Sequence, residues 1–216
     1  AASTIVDLTL EFVSKLAYTA IGLVLLVDLR PGSPFALPIA IGLAAAVLVA
    51  AGFVAAQRQG VQIADRIAGR LGRGWAERTA AGAAALHQAL ARIYPRRGAL
   101  WRGFLLHLGC WIGGAAEAWL ALRLIGAALP IGSVLVIESL VYAVRTVAVI
   151  VPNAVGVQEG AYIVVGAAFG MSPQTALALS LVKRARDLAI GLPALGVWQA
   201  VESGRLWRRA IIRRKS

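Results

Sequence analysis

The sequence predicts an all-α protein: a polytopic bundle of transmembrane helices with one broken or re-entrant helical element and one cytoplasmic amphipathic segment. Of its 216 residues, 59% are hydrophobic and only 15% are charged, whereas soluble domains average about 45–50% apolar and about 25% charged residues. The apolar residues cluster in runs of about 20, the length that an α-helix needs to cross the hydrocarbon core. These observations exclude a soluble globular domain, a disordered chain and a fibrous protein.

The first predicted span covers residues 8–27, and a turn rich in Pro and Gly at residues 28–34 ends it. In its first half, Glu11 precedes Lys15 by four residues, which is the favourable order for an ion pair on one helix face. The second span, residues 36–56, carries no charge and is about 31 Å long as a helix. It is the clearest membrane helix in the chain.

Residues 57–100 differ in composition, because apolar residues alternate there with arginines. We expect an amphipathic helical insertion that lies on the membrane surface. Residues 57–102 contain nine basic and two acidic residues, and residues 201–216 contain six basic residues and one acid. Because this bias is typical of loops retained inside the cell, we expect both stretches, including the C-terminus, to face the cytoplasm. The pattern favours a topology signal over nucleic-acid binding, so we expect no nucleic-acid partner.

Three further apolar stretches follow, at residues 100–125, 131–151 and 173–198, and a short apolar run at residues 161–169 precedes the last of them. If both basic stretches are cytoplasmic, the region 131–170 crosses the membrane an even number of times. The short run is only about 14 Å long as a helix, about half of the hydrocarbon core. We therefore expect a broken or re-entrant helical element over this region, with a full crossing plus a short broken one as the alternative.

Charged residues occur inside these spans, where each costs about 2.5–3.5 kcal/mol at the helix centre. Glu138 and Arg145 are seven residues apart and share a helix face, whereas Lys183 and Asp187 are four residues apart and can pair. As a set, such residues suggest a polar cavity whose cations bind a lipid phosphate and whose acids are counter-ions or proton-coupling groups. A purely structural charge network is the alternative. The cations are Arg145, Lys183, Arg184 and Arg186, and the acids are Glu117, Glu138, Glu159 and Asp187.

A helix break follows the fourth apolar stretch. Pro152 stops a helix, and Gly156 and Gly160 permit backbone angles that other residues avoid. Backbone N–H groups freed there, together with the N-terminus of the next helix, form a natural anion site, with Glu159 as its cap or its occupant. A simple loop between two spans is the alternative. The further candidate lipid-binding residues at this break are Asn153 and Gln158.

Four segments carry a family resemblance: residues 138–140 (Glu-Ser-Leu), Arg145, residues 151–161 around the break, and residues 176–187. They resemble the lysylphosphatidylglycerol synthase transmembrane region, also called the flippase-like domain family, and most closely its hopanoid-biosynthesis-associated members. The resemblance implies a multi-pass protein of the bacterial inner membrane that moves anionic or modified lipids between leaflets. Members are usually longer at the N-terminus, so residues 1–216, taken as a single transmembrane domain, resemble the C-terminal two-thirds of one. The family's aminoacyl-transferase domain has no counterpart here.

We therefore expect a lipid translocase, or a lipid-binding component of one, that holds an anionic or hopanoid-related lipid in a charged intramembrane cavity. One alternative is an intramembrane enzyme acting on lipid phosphates or lipid-linked sugars, with Glu138, Glu159 or Asp187 as acid–base groups. The other is a non-transporting scaffold for hopanoid or envelope lipid biosynthesis. Because the sequence shows no nucleophile–base pair and no Cys/His ligand cluster, we expect no catalytic residue, metal or cofactor. The expected partners are membrane lipids and lipid-biosynthesis enzymes, and the oligomeric state stays open.

Overall fold

The computed structural model describes residues 2–68, 95–148 and 154–214, which form helices joined by short turns. No strand occurs in these ranges, which confirms the all-α class and a helical bundle. The six helices of the described part are α1 (Ala2–Leu29), α2 (Ala36–Ala68), α3 (Arg97–Leu124), α4 (Ile131–Val147), α5 (Val157–Ala167) and α6 (Pro173–Arg214).

α1 and α2 form a helical hairpin around residues 30–35, where the Arg30 N–H donates to the Leu26 carbonyl at 2.9 Å. α1 contains the first predicted span and packs against α2, α3 and α4. The ion pair predicted within it is confirmed, because Lys15 Nζ lies 2.7 Å from a carboxylate oxygen of Glu11.

α2 is longer than the second predicted span, because it continues through residue 57 to Ala68. The beginning of the expected amphipathic insertion is therefore a direct continuation of this helix. Residues 69–94 of the insertion lie outside the described residues, so its amphipathic character and its place on the membrane surface stay predictions.

α4 and α5 are short helices, and the pair returns to the end of the bundle from which it starts. At the start of α4, the Leu29 side chain lies beside Gly132. Just after α5, the Arg30 guanidinium lies 5.7 Å from the centre of the Phe169 ring. Both ends of the pair therefore meet the same α1–α2 turn. A re-entrant hairpin would have this arrangement, and whether the pair enters a bilayer from one side stays a prediction.

The helix bounds differ from the sequence predictions in this part of the chain. α4 ends at Val147, several residues before the predicted end at 151. The predicted place of Gly160 in the helix break is wrong, because Gly160 lies in the first turn of α5. Its N–H donates to the Gly156 carbonyl at 2.9 Å. α6 continues beyond residue 198 to Arg214, and its 42 residues span about 63 Å, twice the hydrocarbon core of about 30 Å.

Small residues bring the helices of the core close together. Ala115 and Ala118 of α3 are fully buried, and a Cβ added to Gly22 of α1 would collide with the Ser139 side chain of α4. Close approach through small residues is the usual packing mode of membrane helices. Aliphatic side chains fill the rest of the core, among them Leu26, Leu122, Val134, Ile137, Leu140 and Leu179.

Two helices of the described part are long and apolar enough to cross a membrane, Ser3–Leu29 and Arg97–Leu124, and the apolar segment Ala36–Gly52 is shorter. The most apolar windows of the two long helices are only 28% and 17% buried inside the protein. A core helix of a soluble protein would be mostly buried, so these surfaces favour contact with lipid.

Candidate functional site

The charged residues predicted inside the spans meet around residues 183–187 of α6. Successive residues of an α-helix point about 100° apart, so the cations of α6 face different neighbouring helices. Each of them contacts a carboxylate from α3, α4 or α5. We call this set the charge layer: Glu117, Glu138, Glu159, Lys183, Arg184, Arg186 and Asp187.

Glu138 and Lys183 form the most buried ion pair of the described residues, with side chains only 0% and 3% exposed. Lys183 Nζ donates to Glu138 Oε2, while the Tyr162 hydroxyl donates to Oε1 at 2.6 Å. Lys183 therefore pairs with Glu138 and not with Asp187, the partner that helical spacing also allows. Lys183 points inward to α4, because Glu138 is the buried charge that needs a counter-ion, and Asp187 lies on the exposed side of α6.

Glu159 ties the start of α5 to α6. One of its carboxylate oxygens accepts a hydrogen bond from the Gly156 N–H at 2.8 Å, which confirms capping, one of the two predicted roles of Glu159. The other oxygen accepts from Arg184 Nε at 2.7 Å and from the Ser180 hydroxyl at 3.2 Å. Gln158 donates to the same hydroxyl at 2.9 Å. The N-terminus of α5 is thus already occupied by a carboxylate of the chain itself.

Arg186 lies at the outer side of the charge layer and bridges two acids. Its guanidinium donates to Glu117 of α3 and to Asp187 of its own helix, the latter at 2.7 Å. These side chains are between 36% and 51% exposed, so this pair is open to an incoming ligand. Within the described ranges, no three His, Cys, Asp or Glu side chains are grouped as metal ligands would be.

Arg145 differs from the other three predicted cations. It lies in the last turn of α4, half-buried, with its guanidinium 5.5 Å from the centre of the Tyr142 ring. In the part of the chain that the structure describes, no carboxylate pairs with it. Tyr142 also lies beneath the Lys183 ammonium, at 5.3 Å, so one ring joins Arg145 to the charge layer.

Comparison with known proteins agrees with this geometry at the level of the family. Residues 1–194 match the family model described as the lysylphosphatidylglycerol synthase TM region. The chain belongs to this family. No curated protein and no solved structure matches it. The family and the two candidate spans indicate a membrane location. Cations inside the bundle are consistent with a lipid-related family. The hopanoid association stays a prediction.

The helix break of this family member is built around Gly156. Gly156 has φ of 81° and immediately precedes α5, and Ala154, two residues earlier, has φ of 48°. Glycine adopts this left-handed backbone without the steric cost that a Cβ would bring, which explains its place at the turn. The predicted break residues Pro152 and Asn153 lie outside the described residues, so their roles stay predictions.

Sequence reasoning missed the aromatic and hydroxyl groups that connect the charges. The Trp111 ring packs edge-on against Tyr142 with centroids 4.7 Å apart, and its indole N–H donates to Ser14 at 3.2 Å. Tyr162 and Ser180 complete the contacts of Glu138 and Glu159. Helical spacing could have indicated Ser180, which lies one turn before Lys183. For the tyrosines, the sequence indicated only that a buried phenol hydroxyl needs a hydrogen-bond partner, and it did not indicate which residue that partner is.

Two buried polar atoms of the described residues have no hydrogen-bond partner: the Tyr18 hydroxyl and one terminal nitrogen of Arg184. Tyr18 is only 1% exposed and packs edge-on against Tyr142, with centroids 6.4 Å apart. An unsatisfied buried donor costs about 1–3 kcal/mol. Two donors of the site, the Tyr18 hydroxyl and one Arg184 N–H group, therefore remain available for a hydrogen bond to a ligand or a water molecule.

Proposed function

We propose that this chain is a lipid translocase, or the lipid-binding component of one, and that it handles an anionic membrane lipid without catalysing a reaction. In this proposal it is a multi-pass protein of the bacterial inner membrane with a cytoplasmic C-terminus, as its basic stretches predict. Family membership and the lipid-facing apolar helices support this proposal. A hopanoid-related lipid is the second candidate substrate, because the sequence resemblance implies it.

The observation that carries the proposal is the position of Arg145. Its guanidinium is half-buried on the α4 face that also carries Glu138, without a carboxylate partner among the described residues. A cation within a membrane span is costly unless a counter-ion accompanies it. A lipid phosphate matches the planar donor fork of arginine and would supply that charge.

The other three predicted cations would take part by exchange, because each already holds a carboxylate. The pairs Arg184–Glu159 and Arg186–Glu117 have side chains between 20% and 37% exposed, so a phosphate can reach them and replace the acid. Lys183 is enclosed with Glu138 and stays paired unless the helices move. We propose that Arg145 makes the first contact and that the exposed pairs of the charge layer receive the headgroup afterwards.

Leaflet exchange in proteoliposomes tests this function. The full-length protein is reconstituted with a fluorescent anionic phospholipid, and an impermeant quencher reports how much of it remains in the outer leaflet. We expect Arg145→Gln to slow exchange by about tenfold or more, because a hydrogen bond to a charged group contributes about 1.5–3 kcal/mol. Arg123→Gln is the matched control, since Arg123 also lies in the last turn of a helix, 4.2 Å from an aromatic ring.

The outcomes separate the alternatives. Equal exchange by wild type and Arg145→Gln would contradict the assigned role of Arg145, and no exchange of any lipid by folded protein would contradict translocation. A labelled hopanoid without a phosphate serves as the second substrate, and we expect its exchange to be insensitive to Arg145→Gln. Release of a cleaved lipid product would instead favour the intramembrane enzyme.

A further inference from the structure

Tyr18 of α1 has a buried hydroxyl that no side chain of the described residues engages. The residue is only 1% exposed, and its hydroxyl has no hydrogen-bond partner in the described part of the chain. Because a buried donor without an acceptor is costly, native structures keep few of them, and each calls for an explanation. The proposed first contact at Arg145 does not use this hydroxyl, so Tyr18 is a candidate for a further role.

Helix packing places Tyr18 opposite the face of α4 that carries Glu138. The Tyr18 ring packs edge-on against Tyr142, with centroids 6.4 Å apart. One turn later on the same face of α1, Gly22 meets Ser139 of α4. Glu138 and Tyr142 are four residues apart and share this face of α4. The Glu138 carboxylate is close enough to the Tyr18 hydroxyl to interact with it electrostatically, so a buried acceptor lies within range of this donor.

Glu138 has capacity for a further hydrogen bond. An ionised carboxylate has about four lone-pair sites, and in Glu138 one oxygen accepts from Tyr162 and the other from Lys183. Departure of Lys183 would leave a buried carboxylate with a single donor, which is strongly unfavourable. A hydrogen bond from Tyr18 would give the carboxylate a second donor again and lower the cost of that departure.

A phosphate bound at Arg145 comes within reach of Lys183. The Arg145 guanidinium and the Lys183 ammonium lie 5.5 Å and 5.3 Å from the centre of the same Tyr142 ring. The ammonium is a point charge on a flexible four-carbon stem, so side-chain rotation can carry it from Glu138 towards the phosphate. The site then holds two cations and two anions, so this movement requires no uptake or release of a proton.

We infer that Tyr18 is a positioning residue of the translocation site, whose hydroxyl donates to Glu138 when Lys183 moves from that carboxylate to the phosphate of the bound lipid. The inference rests on the proposed function, because the anionic lipid at Arg145 is what draws Lys183 away. Tyr18 then acts in the transfer of the headgroup and not in its first contact. Loss of the hydroxyl should therefore slow exchange without weakening lipid binding.

Exchange kinetics over a range of lipid concentrations test this assignment. Full-length Tyr18→Phe is reconstituted in phosphatidylcholine vesicles with increasing mole fractions of fluorescent phosphatidylglycerol. We expect its maximal exchange rate to fall by about tenfold or more, because hydrogen bonds to a charged carboxylate are strong. Its half-saturating mole fraction should equal that of the wild type. Arg145→Gln should instead raise the half-saturating mole fraction, because it removes the first contact.

Thr19→Val is the matched control. It removes a buried hydroxyl from the next residue of α1, which points about 100° away from Tyr18, and we expect it to exchange lipid like the wild type. A wild-type maximal rate for Tyr18→Phe would overturn the inference. An equal loss in Thr19→Val would also overturn it, since the effect would then come from the packing of α1. So would a raised half-saturating mole fraction with an unchanged maximal rate, because Tyr18 would then belong to the first contact.

Infrared spectroscopy tests the hydrogen bond without transport. The C–O stretching band of a tyrosine responds to hydrogen bonding of its phenol, and ring-deuterated tyrosine separates this band from others. When phosphatidylglycerol replaces part of the phosphatidylcholine around the full-length protein, we expect a tyrosine band to shift. The shift should be absent from Tyr18→Phe and from Arg145→Gln. No lipid-dependent shift in the wild type, or the same shift in Tyr18→Phe, would overturn the inference.

Spectra and leaflet exchange together separate this inference from the proposed function. A lipid-dependent shift that requires Tyr18, in a protein that exchanges no lipid, would support the change of partners at Glu138 and refute translocation. Exchange that depends on Arg145 but not on Tyr18 would support translocation and refute the role of Tyr18.

Discussion

Glu138 on α4 and Lys183 on α6 form an ion pair that the surrounding helices bury almost completely. Tyr162 of α5 donates to the same carboxylate, so one acid joins three helices. α5 has only 11 residues, too few to be stable alone. These polar contacts, together with the apolar packing of Tyr162 and Val165, hold the short hairpin in place.

Breaking this pair should destabilise the protein strongly. Lys183→Met leaves Glu138 buried without its counter-ion, and we expect the free energy of unfolding to fall by about 3–5 kcal/mol. Unfolding in mixed micelles with increasing denaturing detergent measures the change. The combined variant Glu138→Met with Lys183→Met should recover part of the loss, because an apolar pair replaces the ions while the buried Tyr162 hydroxyl loses its acceptor. A double variant as unstable as Lys183→Met alone would show that the pair is not coupled.

The two buried tyrosines should respond in opposite ways to loss of their hydroxyl. Tyr162→Phe removes a donor from the buried Glu138 carboxylate, and we expect it to destabilise the protein by about 1–3 kcal/mol. Tyr18→Phe removes a buried hydroxyl without a partner, and we expect it to be neutral or stabilising. The same unfolding titration compares them. Equal losses in both variants would indicate a ligand or water on the Tyr18 hydroxyl.

The helical class and the presence of interior charges could be predicted from composition and run length alone. Runs of about 20 apolar residues imply membrane helices, and charges within them imply partners, because isolated charges there are costly. The pair Glu11–Lys15 followed from spacing within one helix and is confirmed. Local spacing was sufficient for this pair, because both partners lie on one helix.

Pairing between helices could not be predicted in the same way. Lys183 and Asp187 lie one turn apart, yet the partner of Lys183 is Glu138, which is 45 residues away. Helical spacing shows which residues share a face but not which neighbouring helix that face meets. The sequence also did not distinguish the turn residue Gly156 from the helical residue Gly160, because both glycines follow Pro152 within eight residues.

The contact between Gly22 and Ser139 should be sensitive to a single methyl group. A Cβ at Gly22 would collide with the Ser139 side chain, so we expect Gly22→Ala to cost about 1–3 kcal/mol through overpacking of α1 against α4. Ser139→Gly removes the colliding atoms and should rescue Gly22→Ala in a double-mutant cycle of unfolding free energies. Gly42→Ala, which adds its methyl group to open space, is the control and should be tolerated. A wild-type stability for Gly22→Ala would contradict close packing here.

Substitution of the two glycines flanking the start of α5 should change stability in opposite directions. Gly156 has φ of 81°, and a side chain in left-handed backbone costs about 1–2 kcal/mol, so Gly156→Ala should be destabilising. Gly160 lies inside α5, where a Cβ would meet no atom within 4 Å. Gly160→Ala should therefore stabilise the helix by about 0.5–1 kcal/mol. Detergent-induced unfolding of the two variants measures the difference. Destabilisation by Gly160→Ala would contradict the helical position of Gly160 and favour its assignment to the helix break.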